Sequence, residues 1–278
     1  MSSPTHDFFI SIDDLRAVIG TPEAPIVYDV CRHAKYCEAE RIIPTARWRD
    51  HMQVGQWASE IPYGSQVVLA CVHGHNVSQL AASILREKGI DARVLAGGSE
   101  GWRQSGAPTI LKAALPRRDE NVPSRWVTRI RPKIDRIACP WLIRRFIDRD
   151  AELLFVEPDY VKAVADELGA IAYDVDGVEM THDGELCTFD TLITRFGLTD
   201  PALQYLQLVV RGADTARLDL APEAAGLLAV SLGISARAGG DDRAALAAGF
   251  AVYDALYAWR RLASSERHNW PSPAPRQA

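Results

Sequence analysis

From residue 8 to residue 110, short β-branched apolar runs alternate with helix-length amphipathic stretches. The runs at 8–10, 24–30, 66–70 and 92–95 are continuous in apolar character, as strands buried on both faces of a parallel sheet are. Between them, Ser11 can cap a helix that Gly20 stops, and a second helical pattern covers 77–88 before Gly89. This alternation constrains the first part of the chain to an α/β domain, a parallel sheet flanked by helices.

The pattern breaks at 107–124, where three prolines and mixed charges show no period. The second half reads differently. Helical patterns dominate at 140–148, 159–167, 188–196, 201–212, 222–234 and 241–262, with strand candidates at 126–130, 152–155, 171–175 and 178–181. A mainly helical α+β domain is expected there. The expected organisation is a first domain over 1–110, a linker over 111–124, a second domain over 125–263 and a proline-rich, disordered tail over 264–278.

With 278 residues, 47% of them hydrophobic, the chain can bury two cores without staples. Five cysteines at irregular spacing fit free thiols in a reducing cytoplasm better than a disulfide framework. A formal net charge of −5 argues against nucleic acid as a partner. The start of the chain has no secretory signal pattern, and no apolar run is long enough for a membrane span.

Cys71 closes the run at 66–70 and opens the loop Val72, His73, Gly74, His75, Asn76, Val77, Ser78, which runs into a helix. A loop between a strand end and a helix start collects backbone amides and the positive end of the helix dipole. Such a nest suits a thiolate or an oxyanion, and Gly74 permits the required curl. The alternative is a buried cysteine acting as a small hydrophobe. His73 and His75 serve either as cations at the loop or as plain solvent-facing side chains.

Residues 8–108 resemble the rhodanese (sulfurtransferase) family. The matches run in order: Asp29-Val30, Tyr36, Ile43-Pro44-Thr45-Ala46, the Cys71 loop, Ala81-Ala82, and Leu95-Ala96-Gly97-Gly98-Ser99-Glu100-Gly101-Trp102. The resemblance implies that Cys71 carries a persulfide and passes sulfur from a small-molecule donor to a thiol acceptor. The loop departs from the family in placing Asn76 where Arg is common. It also runs one residue longer, as in related phosphatases and arsenate reductases that cradle an oxyanion. Cys31 falls at a strand end expected beside that of Cys71. It is either a resolving thiol or a thiol facing elsewhere.

In the second half, Glu179, His182, Asp190 and, further on, Asp214 are candidate ligands for a divalent metal: zinc, iron or manganese. A polar turn with Asp190 capping the next helix is the competing reading. Either Asp135 caps the helix that follows it, or Cys139 precedes Pro140 at the first helical position. The strings Trp126-Val127-Thr128-Arg129, Asp135 through Ile147, His182 through Asp190 and Arg211-Gly212-Ala213-Asp214-Thr215 resemble the C-terminal domain of the chromate-resistance family. The combination implies a sulfurtransferase joined to a chromate-response domain, or else a non-catalytic oxyanion or redox sensor of chromate stress.

Overall fold

A computed structural model describes residues 8–116 and 122–266. The first domain is built from β1 (Phe9–Ile10), α1 (Ile12–Val18), β2 (Ile26–Asp29), α2 (His33–Glu38), β3 (Arg41–Ile42), β4 (Arg47–Trp48), α3 (Val54–Trp57), β5 (Gln66–Ala70), α4 (Asn76–Glu87), β6 (Asp91–Leu95), α5 (Gly98–Gln104) and β7 (Ile110–Leu111). Five strands form a sheet in the order β1-β6-β5-β2-β4, every pairing parallel. Alternate residues of β5 feed separate cores. Val67 and Leu69 join Tyr28, Leu85 and Val94 on one face, and Val68 and Ala70 join Leu15, Val27 and Trp102 on the other.

β5 lies at the centre, with Asp29 of β2 opposite its last residue, Ala70. The chain leaves β5 toward β6 on one side and leaves β2 toward β4 on the other. The carboxyl ends of β5 and β2 therefore flank a topological switch point, where open α/β sheets hold their ligands.

The second domain comprises β8 (Arg125–Arg129), α6 (Asp135–Leu142), β9 (Glu152–Val156), α7 (Val161–Leu168), β10 (Ile171–Ala172), α8 (Thr188–Arg195), α9 (Pro201–Asp214), α10 (Ala224–Ala238) and α11 (Asp242–Ala258). Its parallel sheet has the order β10-β8-β9. The core centres on Trp141, whose ring meets Phe146, Phe189, Tyr253 and Tyr257. The α6 helix begins at Asp135, so Pro140 lies inside it and the chain continues into a π turn at Ile143–Ile147. The expected strand at 178–181 is reduced to one bridge between Tyr173 and Met180. Asp174 takes a φ of 53°, which ends β-structure before a hairpin can form.

β7 pairs antiparallel with β3, and Leu111 N–H donates to Phe196 C=O. The stretch expected as a linker thus starts inside a strand; residues 117–121 of it lie outside the described residues. So does the expected tail from 267 onward. Among the described residues no helix is long and apolar enough to cross a membrane.

Candidate functional site

Cys71 follows β5 directly and is buried, with 7% of its surface exposed. Its loop curls through Gly74 at a φ of 72°. A Cβ on Gly74 would sit 2.4 Å from Leu95 C=O, and one on Gly98 would sit 2.2 Å from Cys71 C=O. The Gly97-Gly98 turn is therefore the bed on which the Cys71 loop rests. Ser99 N–H donates to Cys71 C=O at 2.9 Å and Glu100 N–H to Val72 C=O at 3.0 Å. Trp102, wholly buried, anchors α5 by donating its indole N–H to Pro108 C=O at 2.8 Å.

With those carbonyls drawn to α5, the amides from Val72 to Val77 find no acceptor among the described residues. Ser78 Oγ lies 3.1 Å from Cys71 Sγ and donates to His75 C=O at 3.0 Å. His73, His75 and Asn76 are exposed at the rim, and the two imidazole centroids lie 6.3 Å apart. The loop thus joins a thiol, a hydroxyl and free amides, a set able to hold a thiolate or a bound anion.

Cys31 sits at the neighbouring strand end and is also buried. Its amide donates to Asp29 Oδ1 at 2.9 Å. Burial, then the Asp29 carboxylate, push the Cys31 thiol far above the ordinary thiol range. Burial likewise raises Asp29. Cys31 therefore stays a neutral thiol near pH 7, a poor attacking group. All the cysteines are free.

The candidate metal ligands divide. His182 Nε2 lies 3.2 Å from Asp214 Oδ2, 3.6 Å from Asp135 Oδ2 and 3.5 Å from Asp174 Oδ1. Glu179 is not with them: it is exposed and pairs with Arg195, because Asp174 turns the chain before the segment that carries it. Asp190 is not with them either. Arg211 grips it through Nε and an Nη at 2.9 and 3.1 Å, and Cys187 N–H donates to it as the cap of α8.

Asp135 and Asp174 take their places, and neither stood among the expected ligands. Asp135 opens α6 yet turns its carboxylate to the start of α8, accepting from Thr188 N–H at 2.5 Å and Phe189 N–H at 3.4 Å. Asp174 accepts from Thr188 Oγ at 3.0 Å and pairs with Arg129 at 3.1 Å and Arg136 at 3.4 Å. Burial, followed by Asp214 and Asp174, holds Asp135 well above the carboxylate range. Burial and then Asp174 raise Asp214. The signal available in sequence was a run of aspartates placed just before or after helices, ordinarily read as caps.

Residues 11–105 match the family model of the rhodanese-like domain, and residues 126–260 match that of the ChrB C-terminal domain. Protein ChrB of Cupriavidus metallidurans is 37% identical over 155 residues, which is 55% of this chain and 46% of that relative. The chain thus spans less than half of that curated relative. Among solved structures, a rhodanese-related protein from Thermoplasma volcanium is 22% identical and covers 38% of this chain and 100% of its own, at a TM-score of 0.34. A thiosulfate sulfurtransferase from Pseudomonas aeruginosa is 27% identical over 36% of this chain and 19% of its own, at a TM-score of 0.32. The chain thus joins a rhodanese-like domain over residues 11–105 to a ChrB C-terminal domain over residues 126–260.

Proposed function

We propose that this chain transfers sulfane sulfur through Cys71 as part of a chromate response. The observation that carries the reading is the Cys71 loop, where Ser78 Oγ stands 3.1 Å from the sulfur and the amides from Val72 to Val77 lack acceptors among the described residues. Those donors stabilise negative charge on the sulfur and on a donor anion beside it. With no arginine in the loop, anion recognition rests on backbone amides and on His73 and His75.

In the first step the Cys71 thiolate attacks the outer sulfur of a thiosulfate-class donor. A new S–S bond forms, the donor's own S–S bond breaks, and sulfite leaves with the electron pair. In the second step an acceptor thiolate or cyanide attacks the terminal sulfur. The electron pair of the enzyme's S–S bond then returns to Cys71. Ser78 can serve throughout, because its hydroxyl hydrogen swings between His75 C=O and the charged sulfur.

The ChrB domain supplies the chromate connection. Chromate is a tetrahedral dianion that oxidises thiols, so a sulfur-handling thiol joined to this domain suits a response to it. The test is sulfur transfer from thiosulfate or mercaptopyruvate to cyanide, comparing the natural chain with Cys71→Ser. The expected result is turnover that vanishes in the variant. No turnover with either donor, together with stabilisation by sulfate, would replace transfer with oxyanion sensing.

A further inference from the structure

We propose that the ChrB domain holds one divalent first-row metal ion between Asp135, His182 and Asp214. The three residues come from different parts of the fold: the first residue of α6, the loop before α8, and the last residue of α9. They nevertheless present one imidazole nitrogen and two carboxylate oxygens, all within 4.8 Å of one another. An ion bonded at about 2.1 Å to each of two neighbouring donors sets them roughly 3–3.5 Å apart in a tetrahedral site. The His182 distances to Asp214 and Asp135, 3.2 and 3.6 Å, bracket the upper part of that range. Asp174 Oδ1, at 3.5 Å from the same nitrogen, is placed to bind the ion or to orient His182.

Charge and burial point the same way. Asp135 and Asp174 are almost wholly buried, and Asp214 is only 18% exposed at its side chain. Three carboxylates meet there against two guanidinium groups, and both of those, from Arg129 and Arg136, approach Asp174 rather than the other two. Asp135 and Asp214 are thus left facing each other across His182, an arrangement that a divalent cation neutralises.

A second feature lies one residue along the chain from Asp174. The Tyr173 hydroxyl is fully buried and without a hydrogen-bond partner among the described residues. A buried hydroxyl left unpaired is rare, and a metal-bound water is a partner of the right kind. His182 is 42% exposed at its side chain, so the ion has an approach from solvent and a face open to an exogenous ligand. One imidazole with oxygen donors favours manganese, iron or zinc over soft copper(I).

The test titrates Mn2+ and Zn2+ separately into the chelator-stripped two-domain protein by calorimetry, with thermal unfolding alongside. The expected result is one equivalent of at least one ion per chain, with a higher melting temperature in its presence. His182→Ala, half-exposed and tolerant of truncation, and Asp214→Asn should each weaken binding at least tenfold while keeping the apo far-UV spectrum. Glu179→Gln should bind as the natural chain does. Binding of neither ion, or undiminished binding in His182→Ala or Asp214→Asn, would overturn the proposal. So would binding abolished instead by His73→Ala with His75→Ala in the Cys71 loop.

Discussion

Ser78 gives Cys71 the one side-chain contact that its loop supplies to the sulfur. A hydroxyl bonded to a charged group is worth roughly 1.5–3 kcal/mol when its partner carries the charge, and less where neighbouring amides share it. Ser78→Ala is therefore expected to slow alkylation of Cys71 at neutral pH by about tenfold, near 1.4 kcal/mol, with little change in stability. An unchanged rate would remove Ser78 from the site. Cys31 behaves oppositely. A thiol raised by burial and by a carboxylate is protonated below its raised value, so its thiolate appears only as pH climbs past the ordinary thiol range. Iodoacetamide should label exposed Cys37 well before Cys31 at pH 7.5, by peptide mass mapping, and the gap should close only at strongly alkaline pH. The position of Cys71 between a strand end and a helix start was legible in the sequence because an apolar run, a cysteine, a glycine loop and a helix pattern are contiguous. The place of Asp135 beside His182 and Asp214 was not. Its partners His182 and Asp214 are 47 and 79 residues away in the chain, and an aspartate at a helix start has a commoner local use.

At the level of elements, the loop after β5 depends on the turn before α5. Gly98 has a φ of 61° and no room for a Cβ against Cys71 C=O, Gly74 N and Val72 C=O. Gly98→Ala should cost about 3 kcal/mol, from positive φ together with overpacking against rigid backbone. Urea unfolding measures it, and sulfur transfer should fall in the fraction that remains folded. Gly89→Ala, also at positive φ but with open space around it, should cost only the backbone term, about 1 kcal/mol. The strands and helices of the first domain were readable because periodicity sets them locally; β5 falls at 66–70 as expected. The expected strand at 178–181 failed for a reason that apolar pattern does not carry. Asp174 leaves the sheet at positive φ so that its carboxylate can reach Thr188 and Arg129.

At the scale of the molecule, the two domains share surfaces that neither pattern announced. Arg47 of β4 binds Asp148 at 2.9 Å and Asp150 at 2.6 Å. Asp148, fully buried, also accepts from the amide and the hydroxyl of Ser124. Arg41 reaches Gly197 C=O, and Arg261 donates to carbonyls of Arg16, Ala17 and Ile19. Asp148→Ala strands several buried donors and should destabilise the chain by about 3 kcal/mol. Asp150→Ala removes a half-exposed partner and should cost under about 1 kcal/mol. Denaturant curves for both variants test this; equal losses would contradict the buried role of Asp148. The contacts of Arg47, Arg41 and Arg261 join residues more than 100 positions apart, which composition and period do not encode.

Sulfur carried by Cys71 is the step on which the proposed transfer depends. Intact-protein and peptide mass spectrometry after thiosulfate treatment reads this directly. The predicted result is one added sulfur atom on the peptide containing Cys71, removed by cyanide and absent from Cys71→Ser. An unmodified Cys71, or sulfur added at Cys31 or Cys37 instead, would contradict it.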